Sequence, residues 1–159
     1  MKLKPLQYGL FLLKNRDYSV GQMERKMREK EYSPEDIAET TLRLKELKFL
    51  DDERFASHYI KNTLSIKPAG KYILEQKLRQ KLVPDDIIDK ALNTISENDE
   101  KEGAALLLKK WIKVRNLDYN SMENKEKYKL KQKMIAYLAG RGFSYDLIKE
   151  AIDRTIDSD

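Results

Sequence analysis

Apolar residues recur three and four positions apart along this chain, in short blocks separated by polar breaks, which is the signature of amphipathic helices. A first, mostly apolar helix is predicted over residues 5–14, with Pro5 suited to its first turn. After the break at Asn15–Tyr18, Ser19 is placed to cap a helix to about Glu31, with Val20, Met23 and Met27 on one face. Ser33 and Pro34, followed by Glu35 and Asp36, start a third helix whose inner face reads Ile37, Thr40, Thr41, Leu44 and Leu47. The stretch Leu50-Asp51-Asp52-Glu53-Arg54-Phe55-Ala56 opens the next set. Asp51 is an N-cap, Asp52 and Glu53 face the positive end of the helix dipole, and Leu50 and Phe55 have the spacing of a hydrophobic staple.

The same order then repeats. A helix from Asp52 to about Leu64 turns Phe55, Ala56, Tyr59 and Ile60 inward, and Ser65–Gly70 breaks it. A second carries Ile73, Leu74 and Leu78 to about Lys81, and a third begins at Pro84-Asp85-Asp86 with Ile87, Ile88, Ala91, Leu92 and Ile95. Asn98-Asp99 is expected to cap a helix over Ala104–Val114, followed by a loop over Arg115–Asn120. A lysine-rich helix runs to about Ala139 and ends at Gly140-Arg141-Gly142. Ser144 caps the last helix, which carries Leu147, Ile148, Ala151, Ile152 and Ile156.

These sets superimpose as sequence. Met23, Met27, Lys30, Tyr32, Ile37 and Thr41 match Leu74, Leu78, Lys81, Val83, Ile88 and Leu92 at a constant offset of 51 positions. Those match Met134, Leu138, Arg141, Phe143, Ile148 and Ile152 at an offset of 60. The predicted fold is all-α: three tandem three-helix repeats, helix-turn-helix-like, over residues 5–50, 51–97 and 98–157, in an elongated, curved array. The stretch at Leu50–Ala56 is then the hinge between the first two repeats and is expected to set that curvature.

Composition agrees and narrows the chemistry. The 159 residues are 40% hydrophobic and 37% charged, with a net charge of +5 that favours an acidic partner, though acids and bases are interspersed. The absence of cysteine excludes disulfides, thiol catalysis and thiolate metal sites. No apolar run approaches the ~18 residues of a membrane span, and no signal-peptide pattern is read at the start. The expectation is a soluble, cytoplasmic, monomeric protein without a membrane partner.

Catalytic signals are poor. His58 is the single histidine and has no cysteine or second histidine to join it. The pairs Asp51-Asp52 and Asp85-Asp86 sit at helix starts, where capping explains them, and Gly140-x-Gly142 lacks the strand and spacing of a phosphate loop. No catalytic residue, metal site or cofactor is expected. Tyr32 and Phe143 align with Val83 and read as core, as do Tyr8, Tyr59 and Tyr137 by spacing, while Tyr18, Tyr119 and Tyr128 stay open as stacking residues.

The middle helix of each repeat carries bases: Arg25, Lys26, Arg28 and Lys30; Lys71, Lys77, Arg79 and Lys81; Lys127 and Lys131 with Lys125, Lys129 and Lys133. As a set they read as a basic stripe that meets phosphates or a repetitive acidic surface. Singly they read as the solvated faces of amphipathic helices. Lys127 and Lys131, four apart, share a face.

Leu50–Ala56 (LDDERFA) after a three-helix unit resembles the hallmark of the RecX family of regulatory proteins. Leu78-Arg79-Gln80-Lys81 with Pro84-Asp85-Asp86-Ile87-Ile88 is similar to that family's second repeat, and Tyr18-Ser19 with Lys30-x-Tyr32-Ser33 to its first. Leu82 departs from the pattern, where the family often has glycine, and Glu31 departs likewise. The resemblance implies tandem three-helix units that bind the RecA recombinase filament and inhibit its ATPase, strand-exchange and co-protease activities in DNA repair and the SOS response. The basic residues named above, with Arg54, are then the candidate contacts to RecA or to single- or double-stranded DNA. The alternative is a helix-turn-helix-like DNA-binding or architectural protein, although no helix shows a run of Asn, Gln and Arg suited to base edges.

Overall fold

The structure, a computed structural model, describes residues 1–157. They form nine helices and no strand: α1 (Pro5–Leu13), α2 (Val20–Glu29), α3 (Pro34–Glu46), α4 (Asp52–Ile66), α5 (Lys71–Gln80), α6 (Asp85–Leu92), α7 (Glu97–Val114), α8 (Asn124–Gly140) and α9 (Tyr145–Asp157). The predicted caps at Ser19, Ser33 and Asp51 hold. The amide of Gln22 donates to Ser19 Oγ at 3.1 Å, while the Ser19 amide donates to the Gln22 side chain at 3.2 Å, a reciprocal pair of bonds. Ser33 and Asp51 accept from the amides of Asp36 and Arg54 at 3.1 and 3.0 Å.

Three readings are corrected. Helix α7 starts at Glu97, earlier than Asn98-Asp99 implied, because Ser96 supplies the cap and accepts from the Asp99 amide at 3.0 Å. That leaves Glu97, Asp99 and Glu100 in the first turn, where the dipole favours them. Leu47 does not face inward: it is the C-cap of α3 and 39% exposed. Tyr18 is no open stacking residue, being buried in a core with Met23, Met27 and Leu44.

The chain divides into two compact units, Met1–Tyr59 with Lys77–Ala91, and Ile60–Gln76 with Leu92–Asp159. In the first, α1, α2 and α3 enclose Tyr8, Met23, Met27, Tyr32, Ile37, Leu44 and Leu50. In the second, α7, α8 and α9 enclose Leu108, Trp111, Met134, Leu138, Phe143 and Ile148, among others.

The repeated sequence pattern has a local cause. Each middle helix ends in a Schellman motif. The amides of Tyr32, Val83 and Phe143 bond back to the carbonyls of Met27, Leu78 and Leu138 at 3.2, 3.2 and 3.3 Å. Those of Glu31, Leu82 and Gly142 reach Arg28, Arg79 and Ala139 at 2.9, 2.9 and 3.0 Å. The motif needs one left-handed residue, and Glu31, Leu82 and Gly142 take it with φ of 59°, 60° and 88°. For a residue with a Cβ this conformation costs roughly 1–2 kcal/mol, so only the third copy adopts it freely. In all three pairs the residue after the turn is buried beside a buried residue of the last helical turn.

Candidate functional site

Every polar member of the Leu50–Ala56 stretch is engaged within the first unit. Asp51 caps α4, and Arg54 donates to the carbonyl of Lys48 at 2.8 Å, closing the turn that leads out of α3. Glu53 pairs with Lys90 of α6 at 2.8 Å. Leu50 and Ala56 are buried and Phe55 is half-buried. Asp52 does more than face its own dipole: its carboxylate accepts from the amide of Val20, the first residue of α2, at 2.9 Å.

That bond is part of a joint. Beside it, Ser19 Oγ donates to the carbonyl of Lys81 at the end of α5. Gly21 lies against Leu82 so closely that a Cβ there would fall 2.8 Å from the Leu82 carbonyl oxygen. The second unit contains the same joint with other residues. The Gly70 amide donates to the carbonyl of Arg141 at 2.8 Å, and that of Tyr72 to Gly142 at 3.2 Å. The Lys71 amide meets the carboxylate of Glu100 at 3.4 Å, and the Lys71 ammonium lies 3.6 Å from it. Ser19, Val20 and Gly21 become Gly70, Lys71 and Tyr72 at the offset of 51, while Lys81 and Leu82 become Arg141 and Gly142 at 60. The start of one repeat's middle helix thus rests on the αL turn of the next repeat's middle helix. An acid from the first turn of that next repeat fills a free helix-start amide.

Burial raises the pKa of Asp52 above its ordinary 3.8, against the smaller, lowering effect of the Val20 amide. A carboxyl with a raised folded pKa is one whose proton the folded state holds more tightly. Stability contributed at this site therefore falls as pH rises from 3.8 to the folded value, and is level above it. Asp52→Asn keeps an acceptor for Val20 and is expected to flatten that slope with little loss at neutral pH. Asp52→Ala leaves the amide unpaired and is expected to cost about 1–3 kcal/mol. Urea unfolding across this pH range measures both, and equal slopes in wild type and Asp52→Asn would remove the assignment.

The basic candidates are dispersed by circumstance. Arg25 and Arg28 pair along α2 with Glu29 and Glu24 at 3.9 and 3.8 Å. Lys26 hydrogen-bonds Glu29 at 2.9 Å, which raises the lysine's pKa and lowers the glutamate's. Arg79 pairs with Asp85 at 2.9 Å, Lys81 lies 5.2 Å over the Tyr59 ring, and Lys71 serves the joint. Lys30 and Lys77 are exposed. Lys127 sits 5.1 Å over the ring of Tyr119.

Lys131 differs in its neighbours. It lines a groove of about 210 Å³ between α8 and α9 with Tyr128, Ile135, Tyr145, Lys149 and one acid, Asp153. Tyr128 and Tyr145 are each 65% exposed, so two open rings flank two lysines, an arrangement able to stack bases and meet phosphates. Sequence reading missed Tyr145 and Lys149. The signal was present, since Tyr145 and Lys149 lie four apart on α9 and Tyr128 and Lys131 three apart on α8, spacings that put each pair on one face. Among the described residues no group of three or more His, Asp or Glu is placed to hold a metal ion. No helix there is long and apolar enough to cross a membrane.

Helix triplets with capped starts, αL ends and recurrent joints define an all-helical protein of tandem three-helix repeats. Models of the first, second and third three-helix domains of RecX match residues 6–44, 51–92 and 104–152 in that order, and the chain belongs to the RecX family. It is 33% identical over 153 residues to a regulatory protein RecX of Leuconostoc mesenteroides, covering 96% of this chain and 55% of the relative. It is 32% identical over 151 residues to that of Chlorobaculum tepidum, covering 95% and 88%. The match to the Bacillus subtilis protein is 32% over 151 residues, covering 95% of this chain and 54% of the relative. The chain thus spans about half the length of two of these relatives and most of the third. The fold is that of the crystal structure of RecX from Lactobacillus salivarius, with a TM-score of 0.84 at 22% identity over 96% of this chain and 94% of that one.

Proposed function

We propose that this protein regulates the RecA recombinase by binding the RecA–DNA filament, and that binding inhibits its ATPase and the activities that depend on it. The observation that carries this reading is the ordered match to all three RecX three-helix domains, together with relatives named regulatory proteins. Supporting it, the charge of +5 suits an acidic filament. Inhibition of this kind needs no catalytic group: occupying the groove where the second DNA strand lies, or bridging neighbouring protomers, is sufficient. Lys127, Lys131, Tyr128 and Tyr145 are the proposed contacts to filament DNA in the third repeat, with the bases of α2 and α5 and with Arg54 as further candidates.

The test is single-strand-DNA-dependent ATP hydrolysis by RecA, with this protein added at sub-stoichiometric ratios. Inhibition is expected, and Lys127→Glu with Lys131→Glu is expected to weaken filament binding roughly tenfold, a loss of ~1.4 kcal/mol. An uninhibited RecA, with duplex binding that is sequence-specific and survives moderate salt, would point instead to a helix-turn-helix-like DNA-binding protein.

A further inference from the structure

A second groove in the same unit as α7–α9 has different chemistry. It encloses about 580 Å³, within the roughly 300–1,000 Å³ of preformed ligand clefts, between the end of α4 and helices α7 and α8. Its rim is aliphatic and unusually open: Ile66 is 87% exposed, Val114 72% and Leu106 61%. Lys67, Lys110 and Arg115 also line it, and no acid does. Trp111 and Tyr137 close its floor, stacked with ring centroids 6.0 Å apart.

An open apolar rim beside three cations selects for a ligand that is both apolar and anionic. Nucleic acid fits poorly. Trp111 is only 8% exposed and already packs against Tyr137 and under the Arg115 guanidinium at 4.2 Å. The Tyr137 ring faces the Lys67 ammonium at 5.9 Å. Bases need open rings, and the rim offers aliphatic side chains instead. We infer that this groove docks an acidic amphipathic helix of a partner protein, its apolar stripe between Ile66, Leu106 and Val114 and its carboxylates toward Lys67, Lys110 and Arg115. The cations fix orientation and on-rate, and the apolar rim supplies the affinity. This surface is separate from the Lys131 groove, and the inference does not depend on RecA being the partner.

The chain has a single tryptophan, and it lies in the groove, so its fluorescence reports occupancy. The probe is a synthetic peptide of about 15 residues, long enough to populate a helix. It carries leucines at i, i+3, i+4 and i+7 and glutamates on the flanks. The full chain is expected to bind it saturably with a shift in Trp111 emission. Leu106→Glu combined with Lys110→Glu, both exposed and outside the core, is expected to weaken binding at least tenfold while thermal unfolding stays unchanged. Amide chemical-shift changes centred on residues 66–67, 106–115 and 137 would place the peptide. Any of four results overturns the inference. They are no saturable binding, equal binding of the same peptide in scrambled order, equal binding of its lysine-for-glutamate version, and displacement by a single-stranded oligothymidylate.

Discussion

Gly70→Ala is expected to lower stability by about 3 kcal/mol or more, at or above the upper end of ordinary overpacking costs. The cause is backbone, not side chain. A Cβ on Gly70 would fall inside the peptide group joining Gly142 to Phe143, where the Gly70 amide reaches the carbonyl of Arg141 at 2.8 Å. Neither partner can move freely. Gly142 holds the αL turn at φ 88°, and its own amide and the next one close the Schellman motif. The joint must open by several tenths of an ångström or break, and the Gly70 and Tyr72 hydrogen bonds go with it. Urea unfolding followed through Trp111 measures the effect, and an unchanged midpoint would show that the joint is not closed in solution. Gly140→Ala is the internal control: a Cβ there meets nothing within 4 Å. At a helical position without a positive φ, alanine is expected to be neutral or to stabilise by about 0.5–1 kcal/mol. One glycine is required by contact and the other, two residues from the αL turn, is not.

The second large effect is expected at Phe143. Replacing it with alanine should cost about 3–5 kcal/mol, the range for emptying a buried aromatic site. Phe143 is 6% exposed in the cluster that holds Leu138, Met134 and Trp111. It is also the residue after the αL turn, so the cavity would open beneath the motif that ends α8. Val83→Ala, the matching change in the second repeat, removes less apolar surface and should cost less. At Tyr32 an alanine also loses the hydrogen bond from the tyrosine hydroxyl to the Leu3 carbonyl at 2.7 Å. A urea midpoint lowered further by Phe143→Ala than by Val83→Ala, with both lowered, would support equivalent roles for these positions. Equal small losses at both would mean that the aligned residues do not share a structural duty.

The charge-reversed Lys127 and Lys131 pair and the peptide groove probe different surfaces of the unit that holds α7, α8 and α9. Loss of filament inhibition with intact peptide binding, or the reverse, would show that they act independently.

The sequence by itself determined the helices, their starts apart from that of α7, the inward faces apart from Leu47, and the repeat register. Those are written in local terms: a cap sits three residues from the amide it bonds, and a buried face recurs every three or four residues. The offsets of 51 and 60 held because they track Schellman turns, whose αL residue and flanking apolar pair are close in sequence. Local rules also produced the errors. Asn98-Asp99 outweighed Ser96 as a cap, and Tyr18 looked like part of a polar break although it packs into the core. Only the tertiary structure decided what Asp52 and Glu100 are for, since their partners Val20 and Lys71 lie 32 and 29 residues away. It also decided that Ser19 answers to Lys81 across 62 residues, and that Tyr145 stands beside Lys131. Periodicity says which face of a helix turns inward. It does not say which other helix end will be there, because that depends on how three separately capped segments close over one core.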